Sequence, residues 1–137
     1  WEIARAGLAE LGATDWPATP PAPDLRHLGG GTARVARRVV IHPGSKWHYT
    51  QWPVERYAEL AGRLARDHEV LWIRAPEVAA VTLPAGVREI APAGLDALVR
   101  TLASAELFVG NNSGPMHVAS ALGTPLVAIT ASTGSSL

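Results

Sequence analysis

The sequence predicts an α/β domain, a parallel sheet with helices on both faces, and three observations carry that expectation. Short apolar runs alternate with helical patterns from residue 35 onward. Each run is apolar almost throughout, as a strand buried on both faces requires. Between the first two runs stands one helix with a clear apolar face and a clear charged face, which makes a β-α-β unit.

In chain order, "WEIARAGLAELG" places Ile3, Leu8 and Leu11 at helical intervals and stops at Gly12, so a short helix is expected there. The next stretch, "ATDWPATPPAPDLRHLGGGTAR", is rich in proline and holds three consecutive glycines, a composition that extends or loosens a chain and packs poorly. Residues 1–34 thus read as a short helix followed by an interdomain linker, and residues 35–137 as the domain proper. "RVVIHP" is the first strand, ended by His-Pro. "PVERYAELAGRLARDH" is an amphipathic helix with Pro53 at its start. Its apolar face is Val54, Tyr57, Ala58, Leu60, Ala61, Leu64 and Ala65, with Glu55, Arg56, Glu59, Arg63, Arg66 and Asp67 around the other. "EVLWIR" is the second strand, and the apolar stretches "EVAAVT" and "VREIAP" follow. Then come the helix "GLDALVRTLASA", the strand "ELFVG", the small-residue helix "GPMHVASALG" and the strand "PLVAIT". A doubly wound sheet normally covers such a strand with a further helix, and the opening helix leads only into a linker. The expectation is a piece of a longer protein, cut at both ends.

Composition narrows the function classes. Twelve basic residues balance twelve acidic ones and no cluster is denser than "RVARR", so there is no electrostatic footprint for nucleic acid or an anionic membrane. With no cysteine there is neither a disulfide frame nor thiolate chemistry. No apolar run approaches the ~20 residues that cross a bilayer, and "WEIARAGLAELGATDW" has no charged-then-apolar signal pattern. The expected location is the cytoplasm. His27, His42, His48, His68 and His117 show no paired metal spacing, so no metal is expected. The glycines at 29–31 lack the Lys-Ser/Thr of a phosphate loop and read as a spacer, and no Gly-x-Ser-x-Gly elbow supplies a hydrolase nucleophile.

Two polar knots remain, each directly after a strand, where open parallel sheets bind ligands. The first is "HPGSKWHYTQWP": Gly44 and Ser45 follow the strand, Lys46 and His48 supply positive charge, Thr50 a hydroxyl, and Trp52 with Pro53 closes the loop onto the helix. Trp52 there reads best as a core plug, and Lys46 as either a ligand contact or a solvated surface charge. The second is Asn111, Asn112, Ser113 and Gly114, where a helix begins and its amides and dipole suit an anion. Ser113 would cap the helix or donate to an oxygen, and His117 lies one turn further in. Capping alone would explain Asn-Ser-Gly, and a histidine on a small-residue helix is often a hydrogen-bonded core residue, so this stretch by itself does not decide.

In this order and separation the two knots resemble glycosyltransferase family nine, the group of bacterial lipopolysaccharide heptosyltransferases. "VVIHPGSKWHYTQWPVERYAELAGRL" is similar to the family segment that opens its carboxyl-terminal domain, and "LFVGNNSGPMHVASALGTPLVAIT" to its stretch usually written with Asp-Ser-Gly-Pro-x-His. The resemblance spans about residues 37 to 131. It implies a GT-B architecture of two Rossmann-like domains, the amino-terminal one holding the acceptor and the carboxyl-terminal one a nucleotide-activated sugar, with this chain most of the donor half. It places Ser45, Lys46 and Thr50 on the loop that contacts the donor diphosphate, Glu77 near the acidic residue for the ribose, and Asn112, Ser113, Gly114 and His117 in the motif that wraps diphosphate and sugar. His117 would also stabilise the leaving group.

The resemblance further implies inverting transfer of a hexose or heptose to a lipid-linked saccharide of the lipopolysaccharide type, with no metal or other cofactor. The carboxylate base would come from an amino-terminal domain, so this chain alone would bind nucleotide and transfer nothing, and the longer protein would work in the cytoplasm or at the inner membrane. Two departures stand out: Thr50 occupies a position where the family commonly has lysine, and Asn112 replaces its aspartate. They keep open a non-catalytic nucleotide-binding or regulatory module; a sugar-nucleotide epimerase shares the two-domain plan, but the Ser-Gly-Pro-x-His context fits the transferases better.

Overall fold

A computed structural model describes residues 24–29, 31–46 and 51–130. The helix expected over the first twelve residues lies outside them. Among the described residues five strands form one wholly parallel sheet: β1 (Arg38–His42), β2 (Glu69–Ile73), β3 (Val87–Ile90), β4 (Leu107–Asn111) and β5 (Leu126–Ile129). The connections carry α1 (Val54–Leu64) between β1 and β2, α2 (Gly94–Ala103) between β3 and β4, and α3 (Gly114–Ala121) between β4 and β5. The strand order is β3-β2-β1-β4-β5. The chain therefore winds outward from β1 to β3, crosses back, and continues on the other side of β1, so the order reverses between β1 and β4.

The period-two alternation of the central strands sorts their side chains onto two faces. Val39, Ile41, Val70, Trp72 and Val109 face α1 and bury Tyr57, Ala58 and Ala61. Val40, Leu71, Ile73 and Phe108 face α2 and α3 and bury Val99, Leu102, Ala119 and Leu122. The apolar runs of β1, β2 and β4 are thus explained by burial on both sides, while the edge strands β3 and β5 keep their middle residues exposed.

Of the two apolar stretches after β2, only the second pairs into the sheet. "EVAAVT" stays irregular between Pro76 and Pro84, and Val78, Val81 and Leu83 lie over the α1-side core instead. Flanking prolines, which lack an N–H for the ladder, disfavour a strand there. The described end of the proline- and glycine-rich segment, from residue 24 onward, is tied to the domain. The backbone N–H of Leu25 donates to Ala121 O at 2.8 Å, Leu25 packs into the core under α2 and α3, residues Arg26–Gly29 form a 3-10 turn with Gly29 buried, and Val35 N–H donates to Ser104 O at 2.9 Å. The Leu25 side chain, the buried Gly29 and the two backbone bonds together dock this stretch.

Close approach of β1 and β4 depends on Gly110. A side chain there would stand 2.7 Å from His42 O and 2.8 Å from the Phe108 ring. At the carboxyl end of β4, Asn111 is fully buried. Its Oδ1 accepts the Trp52 backbone N–H at 3.1 Å and the Tyr57 hydroxyl at 2.9 Å, and its Nδ2 donates to Pro43 O. Trp52 plugs the adjoining core edge-on against Tyr57, with ring centroids 4.9 Å apart. Burial pushes the Tyr57 phenol well above its ordinary range, which keeps it a neutral donor. One amide thereby joins the end of β4, the loop after β1 and the first turn of α1.

Asn111→Ala leaves a phenol, a backbone N–H and a carbonyl without their partner in a buried place, and is expected to cost about 3 kcal/mol. Urea denaturation checks this, and a loss below about 1 kcal/mol would mean that water or a shifted neighbour takes over the three bonds. Tyr57→Phe in the same background removes the orphaned phenol and should recover part of that loss.

Candidate functional site at the strand-order reversal

Because β1 and β4 pair in register, with Ile41 beside Val109 and His42 beside Gly110, the segments that follow them leave the sheet side by side. The first carries Ser45 and Lys46, the second Asn112, Ser113 and Gly114. The described parts of both sequence knots lie on the same rim and meet: the Ser45 hydroxyl donates to Asn112 O at 3.4 Å. Ser45 is 4% exposed, and its own carbonyl accepts from Gln51 Nε2 at 2.8 Å. A cavity of about 510 Å³ opens between the two segments. Ser45, Lys46, Glu77, Asn112, Ser113, Gly114 and His117 all line it, with His42 and Pro115. Thr50 lies outside the described residues.

The start of α3 faces this cavity. Ser113 is its N-cap residue, in extended backbone, and makes no side-chain capping bond. Capping therefore does not account for the serine. The first bond of the helix ladder runs from His117 N–H to Ser113 O at 3.2 Å, so the amides of Gly114 and Met116 precede it, while Pro115 has none to leave over. Gly114 has no internal reason to be glycine: its backbone is outside the left-handed region, and a Cβ there would meet nothing within 4 Å. What a side chain would occupy is cavity space. His117 is exposed at the cavity edge and not a core residue, so the core alternative for that histidine does not hold.

Glu77 enters from the irregular segment after β2. Its approach depends on Gly44, where a side chain would stand 2.2 Å from Glu77 Oε1, 2.8 Å from Ala75 Cβ and 2.9 Å from His42 Cε1. The site thus combines one carboxylate, an ammonium, a histidine at the rim, hydroxyls, an exposed amide side chain and helix-start N–H groups, a set suited to an anion with attached hydroxyls. Among the described residues no group of three His, Asp or Glu side chains stands close enough to hold a metal ion. A second cavity, also about 510 Å³, adjoins the first across Pro115 and is mostly apolar, lined by Ile73, Pro76, Pro92, Leu95 and Leu98 with Arg74. Leu95 is 62% exposed there, unusual for a leucine with a core nearby.

The sequence reading passed over His42. It is 7% exposed, and its Nδ1 lies 3.4 Å from Ser113 Oγ. The available signal was its position: an apolar strand that ends in a titratable residue delivers that residue to the ligand rim of a parallel sheet. Burial pushes the His42 imidazole below its ordinary value, and the Glu77 carboxylate partly opposes this.

A buried histidine held neutral gives stability a defined pH dependence. The unfolded imidazole takes up its proton near 6.5 and the folded one only at lower pH. Between those values the unfolded state binds more protons, so stability falls as pH drops below about 6.5 and levels off beneath the folded value. Thermal or urea unfolding of the protein and of His42→Asn between pH 7.5 and 5 is expected to give a steeper acid slope for the unsubstituted protein. Parallel curves would contradict it.

Residues 20–136 match the family model described as glycosyltransferase family 9 (heptosyltransferase). The fold is similar to that of E. coli heptosyltransferase WaaC with ADP-2-deoxy-2-fluoro heptose, at 21% identity and TM-score 0.67, covering 93% of this chain and 43% of that one. It is also similar to E. coli ADP-heptose lps heptosyltransferase II, at 27% identity and TM-score 0.63, covering 82% of this chain and 41% of that one. The family 9 glycosyl transferase of Veillonella parvula DSM 2008 gives 22%, 0.60, 93% and 42% in the same terms. No curated protein sequence matches the chain. The chain spans less than half the length of each of these solved structures. With its Rossmann-like sheet matching one part of GT-B heptosyltransferases and the family model covering residues 20–136, the chain belongs to glycosyltransferase family 9, the heptosyltransferases.

Proposed function

We propose that this chain is the donor-binding part of a glycosyltransferase that moves a heptose or related sugar from a nucleoside diphosphate to a saccharide acceptor of the lipopolysaccharide type. The observation that carries this reading is the convergence of two polar segments and the start of α3 on one cavity at the strand-order reversal. A diphosphate fits there by its chemistry: it accepts from the amides of Gly114 and Met116 and from Ser113, and is balanced by Lys46 and His117, while Ser45 holds the two segments together through Asn112 O. The apolar cavity beyond Pro115 suits a flat base, and the solved relatives bound to ADP or its heptose derivative make adenine the first base to test. Glu77 and the Asn112 amide are left to hydroxyls of ribose and sugar.

In the reaction the bond between the sugar's anomeric carbon and the diphosphate oxygen breaks, and its electron pair stays on the diphosphate. Groups already aimed at that oxygen stabilise the growing charge without rearranging, which is where such a site lowers the barrier. The acceptor hydroxyl attacks the opposite face, which inverts the anomeric centre, and loses its proton to a carboxylate from another domain. No step in this account requires a metal.

Isothermal titration is expected to show ADP and inorganic pyrophosphate binding to the chain, with EDTA without effect and adenosine far weaker. Gly114→Ala should weaken ADP at least about tenfold with the unfolding midpoint unchanged or raised, since the protein has room for the methyl group and the ligand does not. No heat and no thermal shift with millimolar ADP, GDP or UDP would remove the donor reading. With ADP-heptose and a saccharide acceptor the chain by itself should form no product, and turnover would refute the assignment of the base to another domain.

A further inference from the structure

His42 stands in the cavity wall between two of its groups, almost wholly buried. On one side its Nδ1 is 3.4 Å from Ser113 Oγ. On the other, its Cε1 and a Glu77 carboxylate oxygen lie 2.9 and 2.2 Å from the point where a Gly44 side chain would be, so glycine alone lets ring and carboxylate share that space. Ser113 makes no capping bond, and its hydroxyl is instead engaged by the histidine ring.

The protons at this contact decide what Ser113 can do. A serine hydroxyl has one proton, and a neutral imidazole has one N–H. If Nδ1 accepts the serine proton, the oxygen lone pairs face the cavity and repel a phosphate oxygen, which only accepts. If Nδ1–H donates to Oγ, the serine proton is free to point at the phosphate. The same three atoms therefore make either a repulsive or an attractive wall, and the tautomer of a buried ring selects between them.

We propose that His42 is a positioning residue for the diphosphate: carrying its proton on Nδ1, it turns the Ser113 hydroxyl outward to a phosphate oxygen. This role rests on the donor reading above. His42 itself does not touch the ligand. Glu77, Lys46 and His117 are ionisable groups that face the same cavity, so the ring tautomer is a cleaner readout than a pH profile.

The test uses the whole chain labelled with ¹⁵N in its histidine rings, and inorganic pyrophosphate and ADP as probes. At saturation the His42 ring should show the Nδ1–H form, and Ser113→Ala should abolish the ligand-dependent part of that signal. His42→Leu and Ser113→Ala should each weaken pyrophosphate about tenfold, and the double variant no further, because the two act as one unit. His42→Asn, whose amide N–H can stand where Nδ1–H stood, should recover most of that loss. An Nε2–H ring in the complex, additive losses in the double variant, or a leucine variant that binds as tightly as the unsubstituted chain would each overturn the role of His42 while leaving donor binding intact. Absence of binding by the unsubstituted chain would instead remove the donor reading, and this role with it. Should the leucine variant fail to fold, the asparagine variant and the ring signals decide alone.

Discussion

A single buried amide sets the shape of the rim. An unsatisfied polar group in an apolar interior costs more than its bonds would contribute, so Asn111 is tolerated only because both of its ends are bonded. That requirement works as a constraint on three chain segments at once. Trp52 and Tyr57 must arrive at one oxygen and Pro43 at one N–H, which fixes where α1 starts and where the segment after β1 turns. Low polarity around the amide strengthens each bond and raises the penalty for a misplaced partner. Ser45 and Lys46 then stand beside Ser113 and Gly114 because the segments bearing them are held from below.

Above this floor the field is local. The chain carries no net formal charge, so an anion is not drawn to it by overall attraction. What it offers is an oriented set: helix-start amides, an ammonium and a histidine on one rim. The opposite rim carries Arg38, Glu69 and Arg88, whose paired charges lie across the starts of the first three strands at 2.8 and 2.9 Å. Exposed pairs of this kind contribute little to stability, but they neutralise one another far from the cavity. Charge at the two ends of the sheet is therefore organised for different ends.

Several parts of this arrangement were legible in the amino-acid order. The β-α-β unit at residues 38–73 follows from periodicity, and both polar knots from their place after apolar runs. Others were not. "EVAAVT" has the apolar content of a strand, and only the competition between pairing with β2 and covering the α1-side core separates it from "VREI". The segment around Leu25 has the composition of a linker, and its docking depends on a surface made by α2 and α3, which come far later in the chain. Asn111 looked like one more member of a polar knot, yet it points inward while Asn112 points out, because successive residues at a strand end face opposite ways. His42 was hidden for the same reason: its importance lies in a partner 71 positions away.

The sequence by itself determined most of the element types, the parallel character of the sheet and the family, since these rest on local periodicity and on short motifs whose residues are neighbours in the chain. Only the tertiary structure decided which strand lies beside which. The reversal between β1 and β4 is what brings Gly44, His42 and Ser113 together, and that depends on closing loops over long separations, for which no local pattern carries a signature. It also decided which polar groups serve the fold and which face the cavity, because that division follows from burial, and burial belongs to the packed molecule.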